Sequence, residues 1–177
     1  MRAYKFLAAG RMGPFSGAVW PAPADGAPGA WMESSGPPAV CRNGVHACRA
    51  GDLARWLDEE LWAVELEAPV QAATKLVAAR GRLVERVDAW DGAAAAAFRR
   101  ACLERIAARA PAAGPAGPGL LADAEAFDGP TPVRGAVTAA YLATLAAAHA
   151  AGSAAAMAEE RAWQGAWLAA HLGLPAA

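Results

Sequence analysis

Hydrophobic positions follow two different periods along the chain. In residues 1–90, short alternating or apolar runs are separated by turn residues, a pattern typical of β-strands. The connections are too short for helical crossovers, so the sheet is predicted to be antiparallel, with one short helix at residues 51–57. The predicted strands cover residues 3–9, 15–20, 31–33, 40–48, 61–68 and, as two pieces, 75–87.

In residues 91–177 the period becomes helical, and Phe98, Cys102 and Ile106 recur every four residues. The spacing predicts three alanine-rich helices, joined in part by a surface connection over residues 111–132 that carries at most one helical turn. We therefore expect an α+β fold in which the β-rich half packs against the helices as one compact unit. The predicted helices cover about residues 91–109, 132–150 and 153–172.

The composition limits which classes of binding partner the sequence supports. The chain has 177 residues, of which 56% are hydrophobic, and alanine supplies more than half of that set. A formal charge of -1 gives no overall attraction to nucleic acid. The uncharged interval between Arg134 and Glu159 is mostly alanine, so it favours packed helices over a membrane span. The alanine stripes of the helical half predict a homodimer interface. The three cysteines, in a chain without a leader-like start, predict a cytoplasmic protein.

The most informative segment is Cys41–Cys48, which holds two thiols and an imidazole within eight residues. In an extended strand His46 and Cys48 share a face, and Gly44 permits a turn that returns Cys41 toward them. One interpretation is a nucleophilic Cys48 with His46 as proton acceptor and Arg42 supplying positive charge. No metal is favoured, but Cys41, His46 and Cys48 would be the ligands if one is bound. The third interpretation is purely structural, with buried thiols and a packed histidine.

Other side chains are candidates for the same cleft. Trp20 and Trp31 are flanked by proline and glycine, so they are predicted to lie on loops and to contact a ligand, together with Arg42 and Cys41. Glu65 lies on a predicted strand, where a carboxylate can act as acid or base or can simply be solvated.

The run Cys41–Cys48, written C-R-x-G-x-H-A-C, resembles a motif of an uncharacterised family of bacterial, mostly actinobacterial, proteins, as do the segments 4–7, 13–17 and 60–66. The resemblance implies no activity. It does imply that the motif adjoins the first strand and the strand at residues 61–66, so that Lys5, His46 and Glu65 approach one another. A remoter similarity is to ADP-ribosyltransferase-like folds, in which a basic or histidine residue and a strand glutamate hold NAD. The serine-containing strand and the paired-glutamate loop of those folds have no counterpart here.

Two functions of different class therefore remain. The first is an enzyme that acts on a small molecule, in bacterial secondary metabolism, with Cys48, His46, Lys5 and Glu65 as catalytic residues and no assigned cofactor. The second is a non-catalytic ligand-binding or protein-interaction module, stabilised by a metal in one version. An NAD-using domain is a remote third alternative.

Overall fold

The computed structural model describes residues 2–127 and 129–175. Backbone contacts divide it into a β-rich unit, residues 2–89 with residue 175, and a helical unit, residues 90–174. The predicted α+β class is confirmed, because antiparallel strands fill the first unit and helices the second. The packing of one half against the other stays a prediction.

The β-rich unit contains two antiparallel sheets rather than the single sheet expected. The first has the strand order β1-β4-β7-β2 and the second the order β3-β6-β5. A 3-10 helix, Ala50–Arg55, stands where the short helix was predicted. The strands are β1 Arg2–Leu7, β2 Met32–Glu33, β3 Val45–Ala47, β4 Glu60–Leu66, β5 Val70–Ala72, β6 Lys75–Ala78 and β7 Arg80–Arg86.

Turns interrupt two of the predicted strands, so that the one at residues 15–20 is absent and the one at residues 40–48 is shortened to β3. In residues 15–20 only Val19 forms a bridge, with Met12, since the backbone folds back between Gly13 and Gly17. In residues 40–48 a tight turn occupies the first part, and pairing begins at Val45.

The register of β1 against β4 decides which side chains enter the core of the β-rich unit. Lys5 pairs with Trp62 and Ala3 with Val64, so Lys5 lies on the face of β1 that also carries Ala3 and Leu7. That face packs in the core, and Lys5 is the polar residue within it. The core comprises Ala3, Leu7, Trp20, Val45, Ala47, Trp62, Val64, Leu66, Leu76, Ala78 and Leu83.

The helical unit has four described helices where about three were predicted: α1 Gly92–Arg109, α2 Ala116–Ala126, α3 Pro132–Ala151 and α4 Ala155–His171. The additional one, α2, begins in the Pro/Gly-rich segment. Proline is tolerated in a first helical turn, and Gly117 allows an approach to Ala110 that a Cβ atom would block. Arg99 donates to the carbonyls of Ala124 and Phe127, which satisfies the end of α2.

The termini of α1 and α3 follow from local sequence. Asp91 caps α1 by accepting a hydrogen bond from the Ala94 N–H at 2.8 Å, and Thr131 caps α3 ahead of Pro132. Gly152 ends α3 in the left-handed conformation. No helix within the described ranges is long and apolar enough to cross a membrane.

Candidate functional site

The Cys41–Cys48 segment begins with a tight turn that presents Cys41 to solvent. The N–H groups of Arg42 and Asn43 both donate to the carbonyl of Ala39, and the Ala39 N–H donates to the carbonyl of Asn43. Cys41 occupies the exposed part of this turn with a φ of 61°. The predicted return of the chain at Cys41 is therefore formed by a closed backbone turn, and its thiol is accessible.

The imidazole ring of His46 bonds to the backbone of that turn through both of its nitrogens. Its Nδ1 lies 2.9 Å from the Gly44 carbonyl, and its Nε2 accepts a hydrogen bond from the Cys41 N–H at 3.2 Å. These partners require the neutral tautomer with the proton on Nδ1. Burial lowers the pKa of His46, against the raising effect of the Gly44 carbonyl, and the ammonium groups of Lys5 and Lys75 lower it further. His46 is thus held neutral, with both ring nitrogens engaged by backbone groups.

Gly44 allows the turn to sit close to the second sheet. Its φ is +120°, and a Cβ atom there would lie 2.6 Å from Cγ2 of Val77 and 3.0 Å from the Ala78 carbonyl oxygen. Only glycine fits this position without a shift of β6. The turn is therefore anchored on β6, the strand that also supplies Lys75.

The Cys41 thiol contacts Lys75, the first residue of β6. Its Nζ donates to Sγ of Cys41 at 2.9 Å and lies 4.6 Å from the ring centroid of Trp56. Trp56 is itself held by a hydrogen bond from Nε1 to the Thr74 carbonyl at 3.2 Å. Lys75 was not among the predicted site residues, because it begins β6, which is distant from Cys41 along the chain. The one signal was that the chain has only two lysines, Lys5 and Lys75.

Cys48, the predicted nucleophile, is buried. Its backbone pairs with Tyr4 through two hydrogen bonds of 2.8 Å, and its side chain is 2% exposed. Burial raises the pKa of the Cys48 thiol to about 12, and nearby Asp52 raises it further, while Lys5 lowers it. The thiol is therefore protonated at neutral pH and shielded from solvent, the opposite of what a working thiolate requires.

Lys5 does approach the motif, as the resemblance implied. Its Nζ donates to the His46 carbonyl at 2.8 Å and lies 5.1 Å from the ring centroid of Trp20. Burial lowers the pKa of Lys5 to about 8, and Cys48 acts in the opposite direction. Lys5, His46 and Cys48 therefore form one neighbourhood, which joins β1 to β3.

Glu65 does not join that neighbourhood. It alternates with Val64 and Leu66, both in the core, so its side chain points to the opposite face of β4 from Trp62, the partner of Lys5. There its carboxylate pairs with Arg82 at 2.7 Å. The expected convergence of Lys5, His46 and Glu65 is wrong at Glu65, because strand alternation separates the carboxylate from the lysine.

The predicted ligand contacts are dispersed. Trp20 lies on a loop, as expected, but is only 4% exposed and belongs to the core of the β-rich unit. Trp31 is half-buried beneath Arg80 and Arg82, whose guanidinium carbons lie 4.8 and 4.5 Å from its ring centroid. Arg42 is exposed beside Cys41 in the turn.

The alternative metal site is not assembled. Within residues 2–127 and 129–175, no group of three or more histidine, cysteine or acidic side chains is placed to hold a metal ion. The reason is local: the thiol of Cys41 faces Lys75, both nitrogens of His46 are occupied, and Cys48 is buried. The three proposed ligands therefore serve different contacts.

A second charged cluster lies in the helical unit. Glu160 is fully buried and is bound by Arg105 and Arg109, each with a contact of 2.7 Å to Oε2. This cluster was not predicted from the sequence, although a signal was present. Glu160 and Gln164 fall on the same four-residue spacing as buried Leu168 in α4. A charged residue on a buried stripe indicates a partner across the interface.

No family model, curated protein or solved structure matches this chain. The resemblance of the Cys41–Cys48 motif to an actinobacterial family stays a prediction.

Proposed function

We propose that this protein is an enzyme acting on a small electrophilic molecule, with Cys41 as its nucleophile. The observation that carries the proposal is the 2.9 Å contact between the exposed Cys41 thiol and the Lys75 ammonium group. A cation at this distance attracts the negative charge of a thiolate, which is the reactive form of cysteine. The reacting thiol is thus moved from Cys48, as first predicted, to Cys41.

The surrounding residues have positioning roles. Trp56 lies beside the Lys75 ammonium group and restrains it through the ring face, 4.6 Å away. His46 accepts a hydrogen bond from the backbone N–H of Cys41 and therefore holds the turn that carries the thiol. Arg42, exposed next to Cys41, adds a second positive charge that an anionic substrate would meet.

In the proposed step, Sγ of Cys41 attacks an electrophilic carbon of the substrate. A sulfur–carbon bond forms while the bond to the leaving group breaks, and the leaving group departs with the bonding pair. The Lys75 ammonium group then supplies a proton to the leaving group, so charge and atoms balance. In the second half, water or another acceptor attacks the carbon bound to sulfur, the sulfur–carbon bond breaks with Cys41 leaving as the thiolate, and the proton lost by the acceptor returns to Lys75.

The first test is alkylation by iodoacetamide, followed by intact mass and peptide mapping. We expect one rapid adduct per native chain, at Cys41, because Cys48 and Cys102 are buried. Lys75→Met should slow that reaction at pH 7 by about ten-fold, since the thiolate loses its counter-ion. Lys5→Met is the matched control, because Lys5 contacts the His46 carbonyl, and it should leave the rate at Cys41 near the wild-type value.

The second test uses p-nitrophenyl acetate as the electrophile. Native protein should release a burst of one p-nitrophenolate per chain and carry one acetyl group on Cys41, whereas Cys41→Ala should give neither. Cys48→Ala should retain the burst if it folds, which circular dichroism verifies. An alkylation rate that is equal in wild type and Lys75→Met, or equal to that of the urea-unfolded chain, would sink the proposal.

The second candidate is a non-catalytic binding module. It is favoured by one observation: both ring nitrogens of His46 are engaged by backbone groups, so His46 is not free to accept a proton from the Cys41 thiol. Normal alkylation without any acetyl transfer would favour this candidate.

We further propose a reducing compartment such as the cytoplasm, because Cys41, Cys48 and Cys102 are all free thiols.

A further inference from the structure

The helical unit contains a cleft of about 300 Å³ that lies among α1, α3 and α4. It lies where α1 and α3 end and α4 begins. Its lining comprises Arg105 and Arg109 of α1, Ala156 and Glu159 of α4, and Ala147, Ala150 and Ala151 of α3. The volume is at the lower end of the range of small-molecule sites.

The two arginines of the cleft are held in place by the buried carboxylate of Glu160. Arg105 binds it through Nε and Nη2, and Arg109 binds it through Nη2, at distances of 2.7 to 2.9 Å. Two guanidinium groups therefore share one carboxylate, which leaves one positive charge over. Both arginine side chains are about a quarter exposed, at 27% and 26%, so they remain within reach of a ligand.

The Arg105 guanidinium is held in a fixed plane. Its central carbon lies 3.8 Å from the ring centroid of Trp163 in α4, and Nε and Nη2 are fixed by Glu160. A planar guanidinium held in this way is suited to binding a carboxylate. The nitrogen Nη1 of Arg105 takes no part in the contact with Glu160.

The lining of the cleft also carries negative charge. Glu159 is exposed and lines the cleft, and α3 ends at Ala151, where the last carbonyl groups of a helix carry partial negative charge. The two arginines are balanced by Glu160 and Glu159, so a simple anion gains no net charge attraction. A ligand with both charges meets a partner of opposite sign for each of them.

We propose that this cleft binds a small α-amino acid in its zwitterionic form. The ligand carboxylate lies against Arg105 and Arg109, and its ammonium group lies against Glu159 and the end of α3. A short apolar side chain packs on Ala150 and its neighbouring alanines. The site is separate from Cys41, so it stands or falls independently of the proposed reaction.

The test is a titration of the ¹⁵N-labelled full chain with L-alanine, followed by NMR. We expect saturable shifts of the Ala147, Ala150 and Ala151 amides, and an affinity at least ten-fold higher than for propionate or ethylamine, which carry one charge each. Ala150→Leu fills the cleft without changing its charge and should abolish the shifts.

Paired charge variants complete the test. Glu159→Gln removes the partner of the ammonium group and should weaken L-alanine binding by about ten-fold while leaving propionate binding no weaker. Glu104→Gln, an equal charge change at an exposed position of α1 outside the cleft, should bind like wild type. The proposal is overturned if L-alanine gives no saturable shifts in the millimolar range, if propionate binds as tightly, or if Ala150→Leu binds normally.

Discussion

Cys41 and Cys48 show how two chemically identical side chains acquire different properties seven residues apart. Cys41 stands on an exposed turn against an ammonium group, whereas Cys48 is enclosed, with its pKa raised by burial to about 12. The alternation of a strand predicted which residues share a face, but it carries no information about how deeply that face is covered. Burial decided which thiol is available for chemistry.

His46 predicts a pH dependence at the residue scale. Its folded pKa is lowered from the ordinary value of 6.5, with burial as the main cause, so the folded state favours the neutral ring. The contribution to stability is complete above pH 6.5 and is lost as the pH falls through the lower folded pKa, because the unfolded chain binds the proton more readily. Protonation would also place an N–H of the ring against the Cys41 N–H. The free energy of unfolding, measured in urea, should therefore decrease over this range.

The comparison for this prediction is between two histidine variants. His46→Gln should show a weaker decrease below pH 6.5 than wild type, whereas His149→Gln, at an exposed position of α3, should keep the wild-type profile. Identical pH profiles for wild type and His46→Gln would show that His46 does not carry the effect.

At the scale of elements, capping and helix-ending residues correctly predicted the helix ends that local interactions stabilise. The helix α1 begins at Gly92 after Asp91 and ends at Arg109, as expected from its cap and the following Pro111. By contrast, α2 was underestimated, since its Gly117 and Pro118 oppose helix formation unless a neighbouring backbone requires close contact. Its end is satisfied by Arg99, which lies in α1. A contact between helices thus extended an element that its own sequence only partly supports.

Asp91 gives a test of the local contribution. Asp91→Ala removes the acceptor for the Ala94 N–H and should reduce the free energy of unfolding by about 1 kcal/mol. Asp91→Asn keeps an acceptor oxygen and should recover most of that loss. Both are measured by urea denaturation with helical circular dichroism, and an unchanged stability of Asp91→Ala, or an equal loss in Asp91→Asn, would contradict this account of the cap hydrogen bond.

At the scale of the molecule, long-range polar contacts join the helices into a unit. Glu160 of α4 binds two arginines of α1, and Gln164, one turn later, donates to the Ala140 carbonyl of α3 at 2.9 Å. Three helices therefore meet at one buried polar network. Breaking such a network is costly, because the remaining guanidinium groups lose the carboxylate that compensates their burial.

Glu160→Gln is expected to lower the free energy of unfolding by about 3 kcal/mol, since it keeps the shape of the side chain and removes its charge. The neighbouring Glu159→Gln makes the same chemical change at an exposed position and should alter stability by less than about 0.5 kcal/mol. Both are measured by urea denaturation in the absence of ligand. A loss of similar size in the two variants would contradict a stabilising role for the network.

The sequence by itself determined the α+β class, the antiparallel pairing and the positions of α1, α3 and α4, because periodicity, caps and turn residues act over a few neighbours. It also directed attention to Cys41–Cys48 and, through resemblance, to Lys5. Only the tertiary structure decided that Lys75 meets Cys41, that Cys48 is buried, that Glu65 faces away, and that Arg105, Arg109 and Glu160 form a cluster. Those outcomes depend on strand register and helix packing, which join residues far apart in the chain and leave little trace in any short segment.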